Sequence, residues 1–180
     1  MGILNLLGIG KPKNDASALY AQLVKQARRP VFYTAFGVPD TVNGRYDVIM
    51  LHAYFVMKRL REIGPDGRDL SQALFDYMFS DMDKNLREMG VGDLSVGKKI
   101  KAMATAFYGR IKAYDEGLGG GKNALEEALN RNLFVDSEPN SDQLASAATY
   151  LARQVEASLF WTLSDLESAN FDFIAPDDSL

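Results

Sequence analysis

Between Gly92 and Lys99 the chain reads GDLSVGKK. Gly92, Gly97 and Lys98 fall at the spacing of the phosphate-cradling pattern G-x-x-x-x-G-K-[ST], and the final position fails. Lys99 stands where a hydroxyl would ligate magnesium, and its ammonium would repel the ion. A loop of this kind must also leave a β-strand and enter a helix, so that backbone N–H groups converge on the phosphates. The preceding residues, DMDKNLREMGV, are charged and helical in pattern. The same letters suit a helix-loop-helix corner better. Gly90 and Gly92 let the backbone leave one helix, Asp93 or Ser95 caps the next, and Leu94 and Val96 pin the corner to the core. The exposed helix amino terminus could still attract an anion. A helical phosphate-ligand-binding protein or enzyme using the Gly92–Lys99 loop is therefore the alternative function.

The other residues capable of chemistry are few. Cysteine is absent, which excludes thiol catalysis, disulfides, iron–sulfur clusters and thiolate zinc. A single histidine, His52, excludes sites that need two imidazoles, such as the paired Glu-x-x-His set of di-iron bundles. His52 lies in an apolar run and reads as a hydrogen-bonded packing residue. Asp76, Asp81 and Asp83 crowd the stretch DYMFSDMD, but carboxylates at i and i+2 point to different sides of a helix. They read as a solvated face, with Asp83 placed to pair with Arg87. No cofactor or metal is expected.

The elements that would position these residues are helices throughout. From Asn14, a plausible N-cap, Leu19, Tyr20, Leu23, Val24 and Ala27 form one stripe that stops before Pro30. Phe32, Tyr33 and Phe36 crowd VFYTAFGVP, a short segment bounded by Pro30 and Pro39. YDVIMLHAYFVMKRL has almost no polar face, so it is a buried core helix; its apolar run is about half of the roughly 20 residues that cross a bilayer. After GPDGRD, Asp69 or Ser71 can cap a helix carrying Leu70, Leu74, Tyr77, Met78, Met82, Leu86 and Met89, closed by Gly90. The next, Ser95 to Glu116, carries Val96, Ile100, Met103, Ala104, Phe107, Ile111 and Tyr114 and ends at GLGGG. Between Asp93 and Asp115 it holds Lys98, Lys99, Lys101, Arg110 and Lys112 with no acid, so its exposed side is positive. NALE suggests a capping box from Asn123 to Glu126. Ser141 opens the last long helix, with Leu144, Ala148, Leu151, Val155, Leu159 and Thr162 on one face through FWTL.

With 47% apolar residues in 180, and no alternating strand pattern, the expected fold is a compact all-α, multi-helix bundle with short connections. The expected organisation is a loose N-terminal segment over 1–13, one helical domain over 14–170 and an irregular acidic tail over 171–180. Ile3, Leu4, Leu6, Leu7 and Ile9 read as an end partly tucked onto the domain. The start lacks a secretory pattern, and Leu6 occupies the place where myristoylation wants Ser or Thr. Twenty basic against 24 acidic side chains, net −4, argue against a DNA-binding protein.

YDVIMLHAYFVMKRLRE and QALFDYMFSDMDKNLREMGVGDLSVGKKIKAMATAFYGRIKAYDEGL, Gln72 to Leu118, resemble the ubiquinol-cytochrome c chaperone family in its bacterial form. The likeness is strong over about Tyr46 to Leu118 and extends more weakly to the last long helix. It implies an all-α assembly factor with no catalytic residues. It further implies newly made cytochrome b as the client, a small partner protein, and the ribosome as a docking platform. A cytoplasmic location, peripheral at the inner face of the membrane, would follow. Holding a membrane-protein segment needs an exposed apolar surface, and Met and aromatic side chains suit a client of imprecise shape. The expected client groove lies between VFYTAFG and the helices Tyr46 to Leu60 and Leu70 to Met89. Tyr33, Phe36, Met57, Tyr77, Met78 and Met82 would line it, with Asp81 at the rim. Lys98, Lys101 and Lys112 would form a basic surface for ribosomal RNA or anionic lipid.

Overall fold

The structure, a computed structural model, describes residues 16–176. Among these there are eight α-helices and no strand. Helix α1 spans Ser17–Ala27, α2 Val31–Thr34, α3 Val42–Ile63, α4 Arg68–Glu88, α5 Asp93–Gly120, α6 Lys122–Asn132, α7 Ser141–Ser158 and α8 Leu163–Glu167. One 3-10 turn, Pro65–Gly67, links α3 to α4. The expected N-cap Asn14 and the apolar residues of 3–9 lie outside the described residues. No described helix is long and apolar enough to cross a membrane.

Helix α3 is the axis of the bundle. Eleven of its 22 residues are buried, including the run Val48 and Met50 to Val56 apart from Ile49, because α1, α4, α7 and α8 all pack around it. Its stripe is therefore apolar all round, as a central helix requires. Thr41 caps it by accepting from the Gly44 N–H at 3.1 Å. Helix α5 contrasts with it: over 28 residues only Val96, Phe107, Tyr114 and Gly117 are buried. It packs chiefly against α4 and, as an antiparallel hairpin, against α6.

Several boundaries differ from the sequence expectation for local reasons. Helix α5 runs past Glu116 through most of GLGGG to Gly120, and the last of those glycines, Gly121, ends it with a φ of 86° that suits glycine. Asn123 does not cap α6, which begins at Lys122 directly after that turn with no side-chain cap. The capping boxes lie elsewhere, Asn140 with Gln143 at α7 and Thr162 with Asp165 at α8. Neither Asp69 nor Ser71 caps α4, which starts earlier at Arg68. Leu94 does not pin the corner, being 99% exposed, whereas Val96 is buried. The last long helix ends at Ser158, so FWTL leaves its face. Beyond it, the described start of the irregular acidic tail packs on the domain: Phe171 lies tilted against Trp161 with ring centroids 4.5 Å apart, and the Ile174 N–H donates to Gln154 Oε1 at 2.9 Å.

Candidate functional site

The first half of α3 presents Val42, Asn43, Tyr46, Asp47 and Met50 on one side, at helical spacings of three and four. Across from it α5 presents Lys99, Ala102, Met103, Ala106 and Arg110, again on one side. Two of those facing residues are alanines, and side chains that small cannot reach the opposite helix. An open groove of about 550 Å³ results, lined further by Leu86, Met89, Val91, Val135 and Asp136. Val42, Met89 and Val135 are about half exposed along its rim, at 49%, 56% and 55%. Three of the seven methionines, Met50, Met89 and Met103, line it.

The two walls are tied at the floor. Arg110 Nη2 donates to Asp47 Oδ1 at 2.5 Å, and its Nε donates to the Asn132 carbonyl at 3.2 Å. Burial pushes the Asp47 carboxyl up to about 6, against the pull of the Arg110 guanidinium. Farther along, Asp115 on α5 accepts from Tyr54 at 2.9 Å and from Lys58 at 3.3 Å, and pairs with Arg61 at 2.6 Å. Polar bridges therefore join α3 to α5 where apolar contact is sparse. The Asp136 carboxylate, which lines the same groove, adds to the raising of Asp47. Among the described residues no cluster of three or more His, Cys, Asp or Glu side chains could hold a metal ion.

The residues chosen from sequence as a client groove do not form one recess. Phe36, Met78 and Met82 are core residues, at 1%, 0% and 0% exposure. The reason is α1, which lies over α3 and α4 and buries Leu19, Leu23 and Ala27 where the groove was expected. Tyr20 of α1 packs on Tyr77 at 5.4 Å and donates to Asp81 at 2.9 Å, so Asp81 is an anchor for α1. Tyr77 stays 42% exposed. Tyr33 is half-buried, its hydroxyl donating to the Ala27 carbonyl at 2.7 Å. Met57 opens into a different recess, with Arg61, Arg68, Phe75 and Tyr108.

Lys98, Lys101 and Lys112 are all exposed on α5. Lys112 is paired with Glu116 at 3.7 Å, while Lys98 and Lys101 have no ion-pair partner among the described residues. The phosphate-loop alternative loses its loop: Gly92 is the N-cap of α5, and Gly97 and Lys98 lie inside the helix. The N-terminal turn of α5 already carries a carboxylate, Asp93, bonded to Arg87.

Sequence reasoning missed Ala102, Ala106 and the Asp47–Arg110 tie. The alanine pair at i and i+4 was a readable hint of a close or open helix face. The ion pair joins positions 63 residues apart and left no local signal.

Residues 34–172 match the family model described as ubiquinol-cytochrome C chaperone. The chain is 27% identical over 158 residues to ubiquinol-cytochrome c reductase complex assembly factor 1 of Mus musculus, covering 87% of this chain and 54% of that protein. The Drosophila melanogaster protein of the same name is 25% identical over 162 residues, 84% of this chain and 62% of its own length. This chain thus spans about half the length of the mouse relative. In three dimensions it superposes on the crystal structure of the Cbp3 homolog from Brucella abortus with a TM-score of 0.78 and 32% identity, over 89% of this chain and 88% of that one. With the family model spanning most of the chain and the helical fold shared, this protein belongs to the ubiquinol-cytochrome c chaperone family.

Proposed function

We propose that this chain is a non-catalytic assembly chaperone for ubiquinol-cytochrome c reductase that holds newly made cytochrome b through the groove between α3 and α5. The observation that carries the reading is an open, apolar, methionine-lined groove on a member of this family. Unbranched thioethers adapt to an imprecise apolar surface, which suits a membrane segment before it has found its final neighbours. The ion pair at the floor keeps the walls together while the alanines keep them apart. Phe36, Met78 and Met82 serve the core.

A photo-crosslinking amino acid at Met89 or Val135 should capture newly made cytochrome b, and one at Leu159, outside the groove, should not. Labelling from Leu159 alone, in cells that still assemble the reductase, would refute the groove as the client site.

The exposed Lys98 and Lys101, with Lys99 beside the groove, support a second contact, with the phosphates of ribosomal RNA or of an anionic membrane surface at the inner face of the membrane. Binding of that kind releases counterions and weakens steeply with salt. Co-sedimentation with ribosomes or phosphatidylserine vesicles that is indifferent to salt rules it out.

A further inference from the structure

On the other side of α5 from the client groove lies a second recess of about 390 Å³, between the end of α3, the start of α4 and the middle of α5. Met57, Leu60, Phe75 and Ile111 supply apolar wall, and the polar lining includes Lys58, Arg61 and Arg68. Three cations and no acid line this recess, in a chain whose net charge is −4. Lys58 and Arg61 are already engaged by Asp115, and Lys58 also by Glu62 at 3.2 Å. Arg68, exposed at the first position of α4, has no ion-pair partner among the described residues. Beside it Tyr108, 56% exposed, stacks on Phe75 with ring centroids 5.5 Å apart and planes at 29°. A rigid, outward-facing aromatic wall next to a free guanidinium is a combination enriched where protein partners bind.

We propose that this recess is a docking site for a short acidic segment of a protein partner, distinct from the client held in the α3–α5 groove. One carboxylate of the segment is taken by Arg68, whose planar fork matches it bidentately, and an adjacent apolar side chain lies against Phe75 and Tyr108. Charge complementarity selects the occupant. A single unneutralised guanidinium beside an aromatic wall suits one carboxylate and one neighbouring side chain. A run of nucleic-acid phosphates or a sheet of lipid headgroups needs several free cations side by side, and here Lys58 and Arg61 are already held by Asp115 and Glu62.

The test selects phage-displayed heptapeptides on the full chain and measures the recovered peptide by fluorescence anisotropy. Sequences placing Asp or Glu next to Leu, Phe or Trp are expected. Arg68→Glu and Tyr108→Ala should each weaken the peptide by about tenfold or more, since a charged hydrogen bond or an aromatic wall is lost. Both side chains are exposed, so unchanged thermal melts will certify the fold of each variant. No acidic enrichment, or a peptide indifferent to both variants, overturns the proposal. So does Arg68-dependent binding found with phosphatidylserine vesicles or poly-uridine RNA but not with peptide. Crosslinking of cytochrome b from Met89 should survive Arg68→Glu, so failure here leaves the client groove standing, and failure there leaves this site standing.

Discussion

His52 shows how much one buried polar side chain can depend on distant partners. It is fully buried within ring contacts of Phe32, Phe55, Tyr150 and Phe173. Its Nδ1 lies 2.8 Å from the Val48 carbonyl, which can only accept, so the proton sits on Nδ1. Nε2 then accepts from the Tyr150 hydroxyl at 2.9 Å, and Gln26 donates to that hydroxyl at 3.1 Å. A second proton on Nε2 would leave the tyrosine hydroxyl hydrogen without an acceptor. Burial holds the imidazole down to about 4, against the raising effect of the Val48 carbonyl. The folded value thus lies below the ordinary 6.5, and the native state binds fewer protons than the unfolded chain between them. His52 therefore gives its full contribution above pH 6.5 and loses it progressively as pH falls toward 4. Asp47 acts in the opposite sense, because its raised value makes the protonated native form the favoured one as pH falls through about 6. Urea unfolding from pH 7 to 4.5 should show His52→Gln losing less stability with acid than the parent chain; parallel curves would remove His52 from the acid response. Tyr150→Phe should cost about 1–3 kcal/mol at pH 7, since the histidine nitrogen is left buried without a donor. That His52 is a hydrogen-bonded packing residue was readable from its apolar surroundings. Its partner was not, because Tyr150 lies 98 residues away.

At the scale of the element, the periodicity of apolar residues located every long helix, because one-sided burial imposes the 3.6-residue repeat that the sequence displays. The ends were less legible, because glycine can mean a stop or a close approach. In GLGGG it means both: Gly121, with a φ of 86°, ends α5, while Gly117 and Gly120 are points of close approach. Gly117 faces the Leu125 backbone, where an added Cβ would sit 3.0 Å from Cα, and Gly120 faces Ala124 at 2.7 Å. Gly44 makes the same point in the first turn of α3, where a Cβ would fall 2.0 Å from the Pro39 carbonyl oxygen. Backbone cannot yield as a side-chain tip can, so Gly44→Ala should destabilise the chain by about 1–3 kcal/mol. Gly109, exposed in the middle of α5 with open space around its Cβ position, is the counterpart. There Gly109→Ala should stabilise by about 1 kcal/mol, the ordinary helix-propensity gain. Denaturant midpoints of the two variants should move in opposite directions; a shared direction would mean that helix propensity, and not the Pro39 contact, governs position 44.

For the whole molecule, the α3–α5 groove is a consequence of how two helices fail to fill the space between them. No periodicity announces this, since a small residue on a helix face can equally signal tight packing. Only the placement of α5, held by α6 and α4 and tied to α3 through Asp47–Arg110 and Asp115, decides that Ala102 and Ala106 face an opening. The all-α class was legible from composition and pattern, while the position of the open apolar surface required the assembled bundle. The same geometry permits a test that separates folding from function. Replacing Ala102 and Ala106 by leucine would place apolar side chains into the groove beside Met50 and Met103 and cover surface now open to water. Stability should hold or rise, because each leucine buries apolar area worth roughly 25 cal/mol per Å² without displacing a packed neighbour. Client holding should fall, because the space for the membrane segment is occupied. In a strain lacking the native gene, Ala102→Leu/Ala106→Leu should therefore give a protein at least as resistant to urea as the parent, yet membranes with several-fold less cytochrome b and assembled reductase. Full restoration of both by this filled variant would place the client elsewhere on the molecule, whereas a loss of stability alongside the loss of reductase would show the groove to be part of the packing and not a site kept open for a partner.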